Sequence, residues 1–103
     1  MKKHVSIYIN FFGYAEDEYR PCEICGRRAV DVHHIFARKS GGSSQNDFIE
    51  NLIGVCRKCH IAYGDKKQYL EKLTDAHFAF IRWFNSSYEI QEDKIKLFRQ
   101  NIN

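Results

Sequence analysis

Two Cys-x-x-Cys pairs, Cys22/Cys25 and Cys56/Cys59, bracket a double histidine at His33 and His34, and His60 follows directly on the last cysteine. Two such knuckles can supply four thiolates to one tetrahedral zinc ion and so tie together segments far apart in sequence. The constraint matters because the chain has 103 residues, 44% of them hydrophobic, with 8 Phe, 6 Tyr and 1 Trp. That is enough for one small domain whose thin core a metal clamp would reinforce. Two disulfides are the alternative use of four cysteines. Bridges inside Cys-x-x-Cys close small strained rings, however, and belong to redox sites more than to structural frameworks. With the thiolates committed to zinc, three histidines beside the clamp have no structural task, as expected of a scaffold that presents a second, reactive site.

The formal net charge of +3 permits a nucleic-acid partner without requiring one. Met1-Lys2-Lys3 is basic, but His4, Ser6 and Asn10 interrupt the apolar residues that follow, so no export signal is read there. No apolar run approaches membrane-spanning length. The expected setting is cytoplasmic and reducing, where thiols remain available to zinc.

Along the chain, Val5, Ile7, Ile9 and Phe11 alternate in a strand-like pattern, with a short helix as the alternative. Pro21 leads into the first knuckle, and Gly26 suits the tight turn after it. Ala29 to Ile35 reads as a strand, the Gly/Ser-rich stretch from Arg38 to Asp47 as a loop, and Asn51 to Val55 as a second strand. A helix should begin at the second knuckle and carry His60. Beyond Lys67, Tyr69, Leu73, Ala76, Phe80 and Phe84 recur at helical steps. Asn85-Ser86-Ser87 breaks that helix. A last one should run from Ile90 to Ile102, with Ile95, Phe98 and Ile102 in line and a Glu92–Lys96 pair. The expected class is α+β: one unit over 1–103, comprising an extension (1–21), a zinc-clamped ββα core (22–66) and a tail of two helices (67–103).

The sequences CEICG, VDVHHI, a Gly-Gly loop, ENLIGVC and RKCH, in that order, resemble the HNH endonuclease family over residues 22 to 60. The resemblance implies the ββα-metal finger fold with a structural zinc held by four cysteines, Cys22, Cys25, Cys56 and Cys59. It also implies that His34 is the general base and that His33 and His60 are ligands of a catalytic divalent metal. Asn51 would be the residue that holds the long loop and so orients the base. The implied activity is hydrolysis of DNA phosphodiester bonds by an enzyme of bacterial or phage type.

Elementary chemistry is consistent with these roles. A metal with two protein ligands keeps positions open for phosphate and water, and a neutral imidazole can accept a proton near pH 7. Two imidazoles favour Mn²⁺, Ni²⁺ or Zn²⁺ over Mg²⁺. Neighbouring strand residues face opposite sides, so His33 and His34 can address one phosphate only if the strand ends or bulges there. Asp31 would share the face of His33 and could partner its imidazole. Basic residues outnumber acids around the site, and Arg38, Lys39, Arg57 and Lys58 are the candidate phosphate contacts. His4 and His77 have no companions in the sequence and read as packing or surface residues. Specificity would come from a protein partner or from a homodimer through the C-terminal helices, or sequence preference would be weak. The rival reading is a zinc-dependent nucleic-acid-binding or regulatory module without catalysis.

Overall fold

The structure, a computed structural model, describes residues 1–36 and 46–99. The chain begins with a helix rather than a strand: α1 spans Lys3–Phe12. The alternating residues are apolar at a period of two, but Val5, Tyr8, Ile9 and Phe12 also fall at i, i+3, i+4 and i+7. Burial selects the second set, with Tyr8, Ile9 and Phe12 inside. A strand would have left Tyr8 and Phe12 on its solvent side. Each such side chain contributes roughly 1.5–3 kcal/mol when fully buried, which decides between the two patterns. Gly13, at φ 75°, ends the helix in the left-handed conformation, its N–H directed to the Ile9 carbonyl.

The first knuckle follows. Gly26 takes φ 80° and donates its N–H to the Cys22 carbonyl at 2.9 Å, the tight turn expected of it. β1 (Asp31–His34) and β2 (Leu52–Val55) then pair antiparallel, His33 opposite Ile53 and His34 opposite Leu52. Both strands are shorter than their apolar runs suggest. Ile49–Asn51 forms a 3-10 turn instead of extending β2. α2 (Arg57–Tyr63) starts at the second knuckle as expected. The result is an α+β unit in which two antiparallel strands and a helix meet at a cysteine cluster.

Each face of the sheet is covered. Val32 and Leu52 pack with Tyr8, Ile9 and Phe12 of α1. Ile53 and Val55 pack with the buried cysteines and with Leu73 and Phe78 of α3 (Leu70–Phe84). A Cβ on Gly54 would lie 2.5 Å from the Tyr8 hydroxyl oxygen, so this strand glycine is what lets α1 approach the sheet closely.

α3 buries a different face from the one its apolar spacing suggests. Leu73, Thr74, His77, Phe78 and Ile81 are inside, whereas Phe84 is exposed and Trp83 is 77% exposed. The helix is turned toward His77, whose side chain is wholly buried against the equally buried carboxylate of Glu23, 2.7 Å away. α4 (Glu92–Arg99) packs Ile95 into the core. Lys96 lies 3.9 Å from Asp93 rather than pairing with Glu92, and Ile102 is outside the described residues. Among those residues, no helix is long and apolar enough to cross a membrane.

Candidate active site

The four cysteine sulfurs lie within 4.8 Å of one another, and Cys25 Sγ is 3.6 Å from Cys56 Sγ. A tetrahedron with bonds of about 2.3 Å has edges of roughly 3.8 Å, so the donors already stand at the separation one thiolate-bound ion requires. Cys56 caps α2 and accepts the Cys59 backbone N–H at 3.4 Å. That hydrogen bond holds the Cys56 thiol down to about 7, despite opposition from burial. Burial and the sulfur neighbours push Cys59 up. The two thiols are thus shifted in opposite directions within one cluster.

On the same side of the sheet as Ile53, His33 points into a second cluster. Its ring centroid lies 4.6 Å from that of His60, and nitrogens of both rings lie within 4.8 Å of an Asp65 carboxylate oxygen. His33 Nε2 is the one buried side-chain nitrogen or oxygen among the described residues that lacks a hydrogen-bond partner. Burial, then the nearby His60, hold His33 below the ordinary histidine range. A neutral ring with its proton on Nδ1 presents an unengaged lone pair at Nε2, the state a metal ligand needs. His60 is oriented from behind: its Nδ1 lies 3.0 Å from Asp31 Oδ2. With the proton fixed on Nδ1, the lone pair is on Nε2. Asp31 is thus the partner of His60, not of His33, because the side chain that crosses from α2 reaches its carboxylate. Gly64 packs closely on the same residue: a Cβ there would lie 2.5 Å from the His60 carbonyl oxygen and 2.6 Å from its Cδ2.

Asp65 is not apparent from sequence, standing alone after Gly64 in a polar segment. Among the described residues it is the non-glycine with positive φ, at 57°, a left-handed conformation that aspartate adopts more readily than most residues.

His34 faces the other way, as regular β geometry demands. Its Nε2 lies 2.8 Å from Asp47 Oδ1, and its ring centroid is 4.7 Å from that of His4 on α1. A carboxylate on Nε2–H leaves the lone pair on Nδ1. Neither partner is foreseen from sequence, and His4 in particular is not the isolated residue its sequence context suggests. The strand shows no bulge in its described register but ends at His34, and Ile35 N–H turns to the Asn51 carbonyl at 2.9 Å.

Asn51 is wholly buried. Its Oδ1 accepts the Phe36 N–H at 2.8 Å, and its Nδ2 donates to the carbonyls of Phe36 and Asn46 at 3.1 Å each. Asn46 adds a bond from Nδ2 to the Phe36 carbonyl at 2.9 Å. The two asparagines therefore join the chain on either side of residues 37–45 and fix the exit from β1 just beyond His34. Arg57 and Lys58 are exposed on the first turn of α2. Arg38 and Lys39 lie outside the described residues.

Residues 22–66 match the family model described as HNH endonuclease, less than half of the chain but all of both histidine clusters and the cysteine cluster except His4. No curated protein and no solved structure matches the chain.

Proposed function

We propose, from the premise that residues 22–66 form a domain of the HNH endonuclease family, that this chain is a metal-dependent DNA endonuclease. The observation that carries the reading is the buried, unpartnered His33 Nε2 beside His60 and Asp65. Burying a polar nitrogen with nothing to bond it is costly, about 1–3 kcal/mol, and a bound cation removes that cost. His33, His60 and Asp65 would hold the divalent metal. Two imidazoles and a carboxylate suit Mn²⁺, Ni²⁺ or Zn²⁺ and tolerate Mg²⁺ less well. Cys22, Cys25, Cys56 and Cys59 would hold a structural zinc. When bound, the first metal supplies charge neutralisation at the phosphate and at the departing oxygen.

The chain's own residues do the rest. His34 accepts the proton of the attacking water at its free lone pair, and Asp47 stabilises the resulting imidazolium. Asn51 fixes the backbone beyond His34 and hence the ring's position. Asp31 and Gly64 keep His60 Nε2 aimed into the cluster. Arg57 and Lys58 bind backbone phosphates, with Arg38 and Lys39 in the same role. Because β1 ends at His34, a phosphate at the strand terminus can be approached from the His33 side and the His34 side together.

The opposed faces of His33 and His34 also favour one other reading, a nucleic-acid-binding module in which the two clusters never act on one phosphate. Cleavage of supercoiled plasmid across Mn²⁺, Ni²⁺, Co²⁺ and Mg²⁺ separates them. The nuclease reading expects metal-dependent nicking that His34→Ala and His60→Ala abolish. Salt-sensitive binding with no cleavage under any metal favours the module.

A further inference from the structure

The His34 cluster contains more than a base and its carboxylate partner. One nitrogen of His4, one of His34 and an oxygen of Asp47 lie within 4.8 Å of one another. They come from three separate elements: the first turn of α1, the end of β1 and the segment leading into the 3-10 turn. Each residue is partly exposed as a whole, although the His34 and Asp47 side chains keep only 16% and 6% exposure. Metal–nitrogen and metal–oxygen bonds of about 2.0–2.2 Å place tetrahedral donors roughly 3.4 Å apart, so side-chain shifts of about 1 Å or less would close this set on one cation. Two imidazoles with one carboxylate favour a first-row transition-metal dication over Mg²⁺ or Ca²⁺.

We propose that His4, His34 and Asp47 form a second, weaker site for a transition-metal dication, and that filling it inhibits the enzyme. The inhibitory effect rests on the reading of His34 as the base, because an ion there occupies the imidazole that must accept a proton. Binding itself does not depend on that reading. The order of affinity follows from hydrogen bonding. His33 Nε2 gives up no bond when it takes a metal, whereas an ion among His4, His34 and Asp47 competes with the 2.8 Å contact between His34 and Asp47. Activity therefore rises and then falls as Ni²⁺, Co²⁺ or Zn²⁺ is added.

The test uses the full chain with its cysteine site filled by zinc, titrated with Co²⁺ by calorimetry and by visible absorption. Wild type is expected to bind in two steps. His4→Gln, and His4→Phe, which keeps the ring packing without a donor nitrogen, should lose the weaker step and keep the tighter one. His60→Ala should lose the tighter step. In plasmid cleavage, both His4 variants should reach wild-type rates at low Ni²⁺ and lose the fall at high Ni²⁺. A single step in wild type, or a second step unchanged in both His4 variants, overturns the proposal. Absence of cleavage in every protein under every metal overturns the nuclease reading instead, and the titration still decides the site.

Discussion

Replacing His77 by alanine should be among the most damaging single changes in the molecule, although His77 touches neither histidine cluster. Its Nδ1 lies 2.7 Å from Glu23 Oε1 and its Nε2 lies 2.6 Å from the Ile49 carbonyl oxygen. An ionised carboxylate and a carbonyl both accept only, so both ring nitrogens must donate and the ring is imidazolium. Burial alone would push its pKa down, but the Glu23 charge and hydrogen bond, with the Ile49 carbonyl, carry it above the ordinary histidine value. Both side chains are fully inaccessible. Removing one partner of such a pair strands the other charge and costs about 3–5 kcal/mol. In a domain of this size that is a fall in Tm on the order of 20 °C. Glu23 would keep the Tyr8 hydroxyl and the Gly54 N–H, which places the cost toward the lower end of that range.

Urea unfolding at fixed excess zinc, with zinc content measured in each variant, gives the number directly. The sign with pH is also determined. A raised histidine pKa contributes stability that is full below the unfolded value near 6.5 and is lost as pH rises through the folded value. The gap between wild type and His77→Ala should therefore shrink from pH 6 toward alkaline pH. A loss under about 1 kcal/mol at pH 6, well below the buried-pair range, or a gap that widens with pH, would refute the assignment of a buried ion pair.

Cys22→Ser or Cys59→Ser should lose zinc and the cooperative thermal transition together, because the cluster joins the first knuckle to the start of α2 and metal binding supplies folding free energy; circular dichroism with and without a strong chelator checks this. Asp65→Asn tolerates the left-handed backbone yet removes the charge, so it should leave unfolding unchanged while raising the Mn²⁺ concentration needed for half-maximal cleavage. Gly64→Ala should have a similar metal effect by displacing His60; wild-type metal dependence in both variants would remove Asp65 and Gly64 from the site.

The sequence order of knuckle, strand, loop, strand and helix carried most of the central unit, because cysteine spacing and glycine turns are local signals. What escaped it is long-range or two-valued. Residues 5–12 satisfy both a strand and a helix period, and burial of Tyr8, Ile9 and Phe12 against the sheet selects the helix. The buried face of α3 contains His77, which a hydrophobic pattern counts as polar, so the apolar spacing pointed to Phe80 and Phe84 instead. His33, His34 and His60 were legible from their position between and beside the knuckles. Their partners were not: Asp31, Asp47, Asp65 and His4 are ordinary polar residues until the antiparallel register and α1 bring them to the imidazoles.

On the proposed reading, His33, His60 and Asp65 bind the metal on which His34-dependent hydrolysis relies. That assignment is tested most directly by nicking of supercoiled plasmid with protein stripped by mild chelation but still holding its structural zinc. Nicking should be absent before metal is added and recover with low Mn²⁺ or Ni²⁺. His34→Ala should lose about 10²–10⁴-fold in rate at unchanged metal affinity of the His33, His60 and Asp65 site. Wild-type turnover by His34→Ala, or no nicking by wild type with any divalent metal, would contradict the assignment.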